Sequence, residues 1–128
     1  MKFALCLIAL SAKALQGYTA TPEAMTWSEA ENWCNTNNKN GLAVPHKDYI
    51  AEIASNCPQW LCWVGLHRSQ DHINLWSELS SEEIPWAPNQ PDDYQNGENC
   101  VETYKWGDNM NKVNDDNCNE RRHGICEE

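Results

Sequence analysis

The chain has 128 residues, seven cysteines and a formal net charge of −10, the size of one domain with a modest core. Nineteen acidic against nine basic residues make phosphate backbones and anionic lipid poor partners and cations good ones, so neither nucleic acid nor membrane insertion is expected. Cysteine at this density points to an oxidising compartment.

In chain order, Lys2, the apolar run from Phe3 to Ala12 and the small-residue pattern Ala12-Lys13-Ala14 read as a secretory signal cleaved after Ala14. The run is far below the roughly 20 apolar residues a membrane span needs. The expected organisation is therefore a signal at 1–14, one domain at 15–128, and a secreted, extracellular product. Cleavage removes Cys6 and leaves Cys34, Cys57, Cys62, Cys100, Cys118 and Cys126, an even set that allows three bridges. It also removes Lys2 and Lys13, leaving seven basic against nineteen acidic residues and a charge of −12.

Thr26 with Glu29 three residues on forms a capping box, and Trp27, Ala30 and Cys34 then recur on one face, which predicts a helix over 26–37. The turn signal Asn40-Gly41 precedes a second helix in "HKDYIAEIASN", where Ile50, Ile53, Ala54 and Cys57 share a face and Pro58 is the stop. "WLCWVGL" (60–66) reads as a buried strand, and "CVETYKW" from Cys100 as another with Val101 facing the core. Cys57 and Cys62 suit a bridge in such a compartment, with a zinc site shared with His67 as the alternative. More than thirty residues, rich in Ser, Asn, Asp, Glu and Pro, separate the two strands, a length that implies a functional loop or disorder. His46, His67, His72 and His123 are scattered, and none pairs with a nucleophile, so no enzyme is expected.

The loop contains "NQPDDYQNGENC". Asp92, Glu98 and Asp115 supply carboxylates and Gln90 and Asn114 supply amide oxygens, the ligand set a hard cation such as calcium prefers. On composition alone, a solvated acidic loop explains these residues equally well.

Order and spacing add more. From about Tyr18 to Cys126 the chain resembles the C-type lectin-like domain family: the first helix with Trp27, Ala30 and Cys34, "WVGL" at 63–66 for the family's WIGL strand, Trp86 ahead of the sugar motif, "QPD" at 90–92, "ENCV" at 98–101, and Asn114-Asp115 four residues before Cys118. The resemblance implies an α+β domain with two helices packed on small antiparallel sheets and a long calcium- and sugar-binding loop region. It implies bridges Cys34–Cys126 and Cys100–Cys118, with Cys57–Cys62 as an extra, and a cis Gln90–Pro91 peptide. It also implies one Ca2+ held by Gln90, Asp92, Glu98, Asn114 and Asp115, and sugar contacts from Gln90, Asp92, Tyr94, Glu98 and Asn114.

"QPD" is the family's galactose form, with the amide first and the acid third, and Tyr94 stands where galactose-binding relatives carry a stacking aromatic. Three positions depart from the family pattern. Val113 replaces a tryptophan before Asn-Asp, and Arg68 and His72 stand where relatives with a second calcium have acids. The expected function is a secreted calcium-dependent lectin preferring galactose or N-acetylgalactosamine, with microbial surface polysaccharide among its glycans and a homo-oligomer supplying avidity. The alternative is a module of the same fold that binds a protein, a mineral or ice.

Overall fold

The computed structural model describes residues 17–68 and 82–128; the expected signal at 1–14, Cys6 within it, and His72 lie outside the described residues. Strand β1 spans Tyr18–Ala20 and helix α1 spans Trp27–Thr36. The Thr26 hydroxyl accepts from the Glu29 amide at 3.3 Å while the Glu29 carboxylate accepts from the Thr26 amide at 2.9 Å, so the capping box satisfies two backbone donors at the helix start. Trp27, Ala30 and Cys34 are the residues α1 buries, as their spacing requires.

Helix α2, Ile50–Ser55, is shorter than the periodic segment that contains it. His46 to Tyr49 form a turn instead, in which the His46 carbonyl accepts from the amides of both Tyr49 and Ile50. The apolar face is kept, because Ile50, Ile53, Ala54 and Cys57 are all buried.

Four more strands follow: β2 at Leu61–His67, β3 at Cys100–Tyr104, β4 at Val113–Asp116 and β5 at His123–Glu127. The strands expected in small antiparallel sheets join into one five-stranded sheet ordered β1-β5-β2-β3-β4. Its neighbours are antiparallel except β2 and β5, which run parallel. β5 lies between β1 and β2, so the first strand is hydrogen-bonded to the last, and the last to the central strand β2.

β2 is apolar from Leu61 to Leu66 because both of its faces are covered there. Cys62, Val64 and Leu66 pack with Ile50, Ile53, Val101, Val113 and Ile125, whereas Trp63 packs on the other side with Met25, Trp27, Ala30, Leu42 and the Cys34–Cys126 pair. The two buried indoles are satisfied: Trp27 Nε1 donates to the Val64 carbonyl at 2.9 Å and Trp63 Nε1 to the Met25 carbonyl at 3.0 Å. Gly65 is required where β2 meets the 42–43 segment. Its amide donates to the Ala43 carbonyl, and a Cβ there would stand 2.1 Å from the Leu42 carbonyl oxygen. Among the described residues, no helix is long and apolar enough to cross a membrane.

Three disulfides link Cys34–Cys126, Cys57–Cys62 and Cys100–Cys118, at sequence separations of 92, 5 and 18. Cys34, Cys126, Cys57 and Cys62 are all buried, so replacing either pair by alanine leaves similar cavities and the difference lies in the unfolded chain. Chain entropy then makes loss of Cys34–Cys126 costlier than loss of Cys57–Cys62 by about 2–3 kcal/mol. Urea midpoints of the two double-alanine variants measure this ranking, and equal losses would contradict it.

Candidate functional site

β4 meets the 82–99 segment through its backbone. The Val113 amide donates to the Pro85 carbonyl, the Val113 carbonyl accepts from Ala87, and Trp86 forms a parallel bridge with Val113. Val113 is thus fully buried and anchored on both sides. The next turn closes with the Gln90 amide on the Ala87 carbonyl at 3.0 Å, and the Gln90–Pro91 peptide is cis.

Asp115 then draws the loop onto the sheet. Its carboxylate accepts from the Asp92 amide at 3.2 Å and from the Asp93 amide at 2.7 Å. Asp93 has φ +47°, a left-handed conformation that aspartate tolerates better than most residues, and it starts a short 3-10 turn over Tyr94–Asn96. Two bonds close this turn: the Glu98 amide donates to Asp93 Oδ1 at 3.1 Å, and the Tyr94 amide to Glu98 Oε1 at 3.0 Å.

As a result, Asp92, Glu98 and Asp115 offer carboxylate oxygens that all lie within 4.8 Å of one another. Three acids at this distance cannot all ionise without cost. Burial, together with the hydrogen bond it shares with Asp92, pushes Glu98 up to about 7. Asp92, receiving that bond, is held below the usual carboxylate range. Burial also raises Asp115, against the pull of its two loop amides.

Gln90 Oε1 is buried and has no hydrogen-bond partner among the described residues. A buried amide oxygen left unsatisfied normally costs free energy, and its place in the loop that carries three crowded carboxylates is what a hard cation would use. The donor set therefore fits a divalent ion such as calcium.

Asn114 and Asp115 are consecutive on β4, and the strand's alternation sends them apart: Val113 and Asp115 are buried, Asn114 and Asp116 half-buried. Asn114 Nδ2 donates to Glu102 Oε2 at 3.0 Å, which leaves its second N–H and its Oδ1 for other partners. Glu102 is buried and also receives Arg122 Nε at 3.1 Å, while Arg122 Nη2 reaches Asp116 at 3.1 Å. Burial pushes Glu102 up to about 8, the nearby Asp116 charge adds to this, and Asn114 and Arg122 oppose it.

Glu102, Arg122 and Asp93 were not singled out by the sequence. The available signal was a charged residue inside the otherwise buried strand "CVETY". Tyr94 is 64% exposed, at the start of the 3-10 turn, with its ring available to a ligand.

A profile described as "Lectin C-type domain" matches residues 23–128. Human E-selectin is 30% identical over 117 residues, covering 85% of this chain and 19% of its own, so this chain spans about a fifth of that relative's length. C-type lectin BML-1 of Bungarus multicinctus is 29% identical over 121 residues, covering 86% of this chain and 75% of its own. Among solved structures, the mouse scavenger receptor C-type lectin carbohydrate-recognition domain superposes with a TM-score of 0.69 at 22% identity, covering 87% of this chain and 88% of that one. C-type lectin CEL-I from Cucumaria echinata gives 0.66 at 19%, covering 85% and 86%. The fold agrees with these structures, the matched segment covers nearly all the described residues, and the chain belongs to the C-type lectin domain family.

Proposed function

We propose that this chain is a calcium-dependent carbohydrate-binding domain of galactose type. The observation that carries the reading is the convergence of Asp92, Glu98 and Asp115 in the loop that also buries the unsatisfied Gln90 oxygen. Gln90, Asp92, Glu98, Asn114 and Asp115 would hold the ion. When bound, calcium supplies the positive charge and open coordination positions on which two neighbouring sugar hydroxyls can sit. Around those hydroxyls, carboxylates accept protons and amide N–H groups donate. In "QPD" the amide comes first and the acid third, and this order supports a preference for the hydroxyl pair of galactose or N-acetylgalactosamine. Tyr94 would cover the apolar face of the ring.

The same proposal takes residues 1–14 as a removed signal and 15–128 as a secreted extracellular domain. It acts as a homo-oligomer on galactose-type glycans, microbial surface polysaccharide included. The disulfides and the acidic composition support this setting. An oligomer is favoured because a single small polar sugar site gains useful avidity only through several copies.

Calorimetry should find one calcium equivalent with a dissociation constant on the order of 10⁻⁴–10⁻³ M. Glu98 must lose its proton to act as a ligand, so affinity should be flat above pH 8 and fall about tenfold per unit below pH 7. Below pH 7 about one proton should be released per ion bound, and Glu98→Gln should abolish that release. Affinity independent of pH between 5 and 8 would remove Glu98 from the ligand set.

The metal-free protein should show the opposite trend in stability. Glu98 is raised above its ordinary value on folding, so the folded chain binds the extra proton between about 4.5 and 7. The resulting stability is complete below that window and lost as pH rises through it. Melting in chelator should therefore occur at lower temperature at pH 8 than at pH 5, with Glu102 acting in the same direction up to about 8. Saturating calcium should cancel the part due to Glu98, and a chelated protein that gains stability over this range would contradict the assignment.

Sugar choice is tested by exchange of the pair, Gln90→Glu with Asp92→Asn. The exchange keeps three carboxylates at the ion, so calcium affinity should change little while preference moves from galactose toward mannose. Tyr94→Ala should weaken galactose several-fold and leave calcium alone, since covering some ~40 Å² of ring contributes about 1 kcal/mol. Competition by galactose, N-acetylgalactosamine and mannose reads both. A wild type that prefers mannose, or that binds neither sugar in saturating calcium, sinks the galactose reading; the second result favours a module for protein, mineral or ice.

A further inference from the structure

Arg68 follows directly on β2 and is only 9% exposed. Its backbone amide donates to the Asn99 carbonyl at 2.7 Å, one step beyond the paired residues His67 and Cys100, so the β2–β3 ladder fixes its position. Its guanidinium faces three oxygens of the loop. Nη2 lies 2.6 Å from Asp93 Oδ1, 3.2 Å from Asn99 Oδ1 and 3.5 Å from the Glu98 carbonyl, and Nε donates to Asn99 Oδ1 at 3.2 Å. A carboxylate, an amide oxygen and a carbonyl converging on one nitrogen make an oxygen-lined cup around a positive charge, and a guanidinium keeps that charge at every accessible pH.

The cup belongs to the same turn that presents the metal-binding carboxylates. Asp93 Oδ1, held by Arg68, also accepts from the Glu98 amide, while the Asp93 amide donates to Asp115. The charge on Asp93, the fourth carboxylate of the region, is neutralised by Arg68, and Asp93 is not among the three carboxylates that cluster. We propose that Arg68 is a positioning residue: a resident, non-exchangeable cation that holds the 93–99 turn closed without metal, so that Glu98 already stands beside Asp92 and Asp115 when the ion arrives. This rests on the calcium reading only for its metal readout. The closure of the turn is a property of the metal-free chain.

The test uses the whole chain with Arg68→Gln and Arg68→Lys. Residue-resolved amide exchange in chelator should show the Asp93 and Glu98 amides protected in the wild type. In Arg68→Gln they should exchange at least tenfold faster, while the amides of β2, β3 and β5 stay at wild-type rates. Lysine keeps the charge without the fork, so Arg68→Lys should fall between the two. Calcium affinity, measured by calorimetry, should follow the same order, with Arg68→Gln weakened about tenfold or more. Unchanged loop protection in Arg68→Gln overturns the proposal, as does equal loss of protection across the sheet, which would mean that Arg68 merely supports the fold. A wild type that binds no calcium removes the proposed function instead, and the exchange comparison still decides the role of Arg68.

Discussion

The site depends on one carboxylate, that of Asp115, which is fully buried on β4 and accepts the amides of Asp92 and Asp93. These two bonds fasten an irregular loop to an ordered strand. The loop needs such an attachment, because positive φ at Asn89, Asp93 and Gln95 keeps it out of any regular ladder that could satisfy its backbone. Charge-assisted bonds from two successive amides are stronger than neutral ones and leave the loop little room to shift. The same contact brings Asp92 near Asp115, and the Asp93–Glu98 turn then delivers the third acid. Fixing the loop and crowding the carboxylates are one event.

That event needs a rigid strand beneath it. β4 is an edge strand of four residues, too short to hold a shape alone, and it gains its position from β3 on one side and the Pro85–Ala87 segment on the other. β3 is placed in turn by β2, whose two covered faces are set by Trp63 toward α1 and by Val64 toward α2. The Cys100–Cys118 bridge ties the start of β3 to the residues just after β4, so the register Val101↔Asp115 is held by a covalent link as well as by hydrogen bonds. Order therefore runs outward from the centre of the sheet to the loop.

Much of this was legible in the sequence where local chemistry and burial agree. Thr26 and Glu29 cap a helix wherever it is placed, and Trp27, Ala30 and Cys34 can share only one face of it. The doubly apolar run around Trp63 likewise admits a central strand. The second helix was less legible: its apolar face of Ile50, Ile53, Ala54 and Cys57 does not mark where within "HKDYIAEIASN" the helix begins, and the residues from His46 to Tyr49 form a turn instead. In the loop, the types of Gln90, Asp92, Glu98 and Asp115 pointed to a cation, but the left-handed turn at Asp93 and the use of its side chain by Arg68 depend on a contact twenty-five residues away in the chain. No local propensity encodes such a contact. Glu102 was hidden for a related reason, since a glutamate within "CVETY" reads as a solvent-facing residue until Arg122 and Asn114 are brought beside it.

The separation between the acidic cluster and the Glu102–Arg122–Asp116 network follows from the pleat of β4. Successive side chains leave a strand on opposite faces, so Asp115 turns toward the buried face it shares with Val113, and Asn114 and Asp116 turn toward Glu102 and Arg122. A slip of one residue would exchange the two sets, taking Asp115 from the loop amides and burying Asn114 and Asp116 beside the core. The covalent link at Cys118 and the anchored Val113 stand on either side of these residues and oppose that slip. Asn114 and Asp116 both join the two networks through the strand, because their side chains are held by Glu102 and Arg122 while Asp115 between them holds the loop.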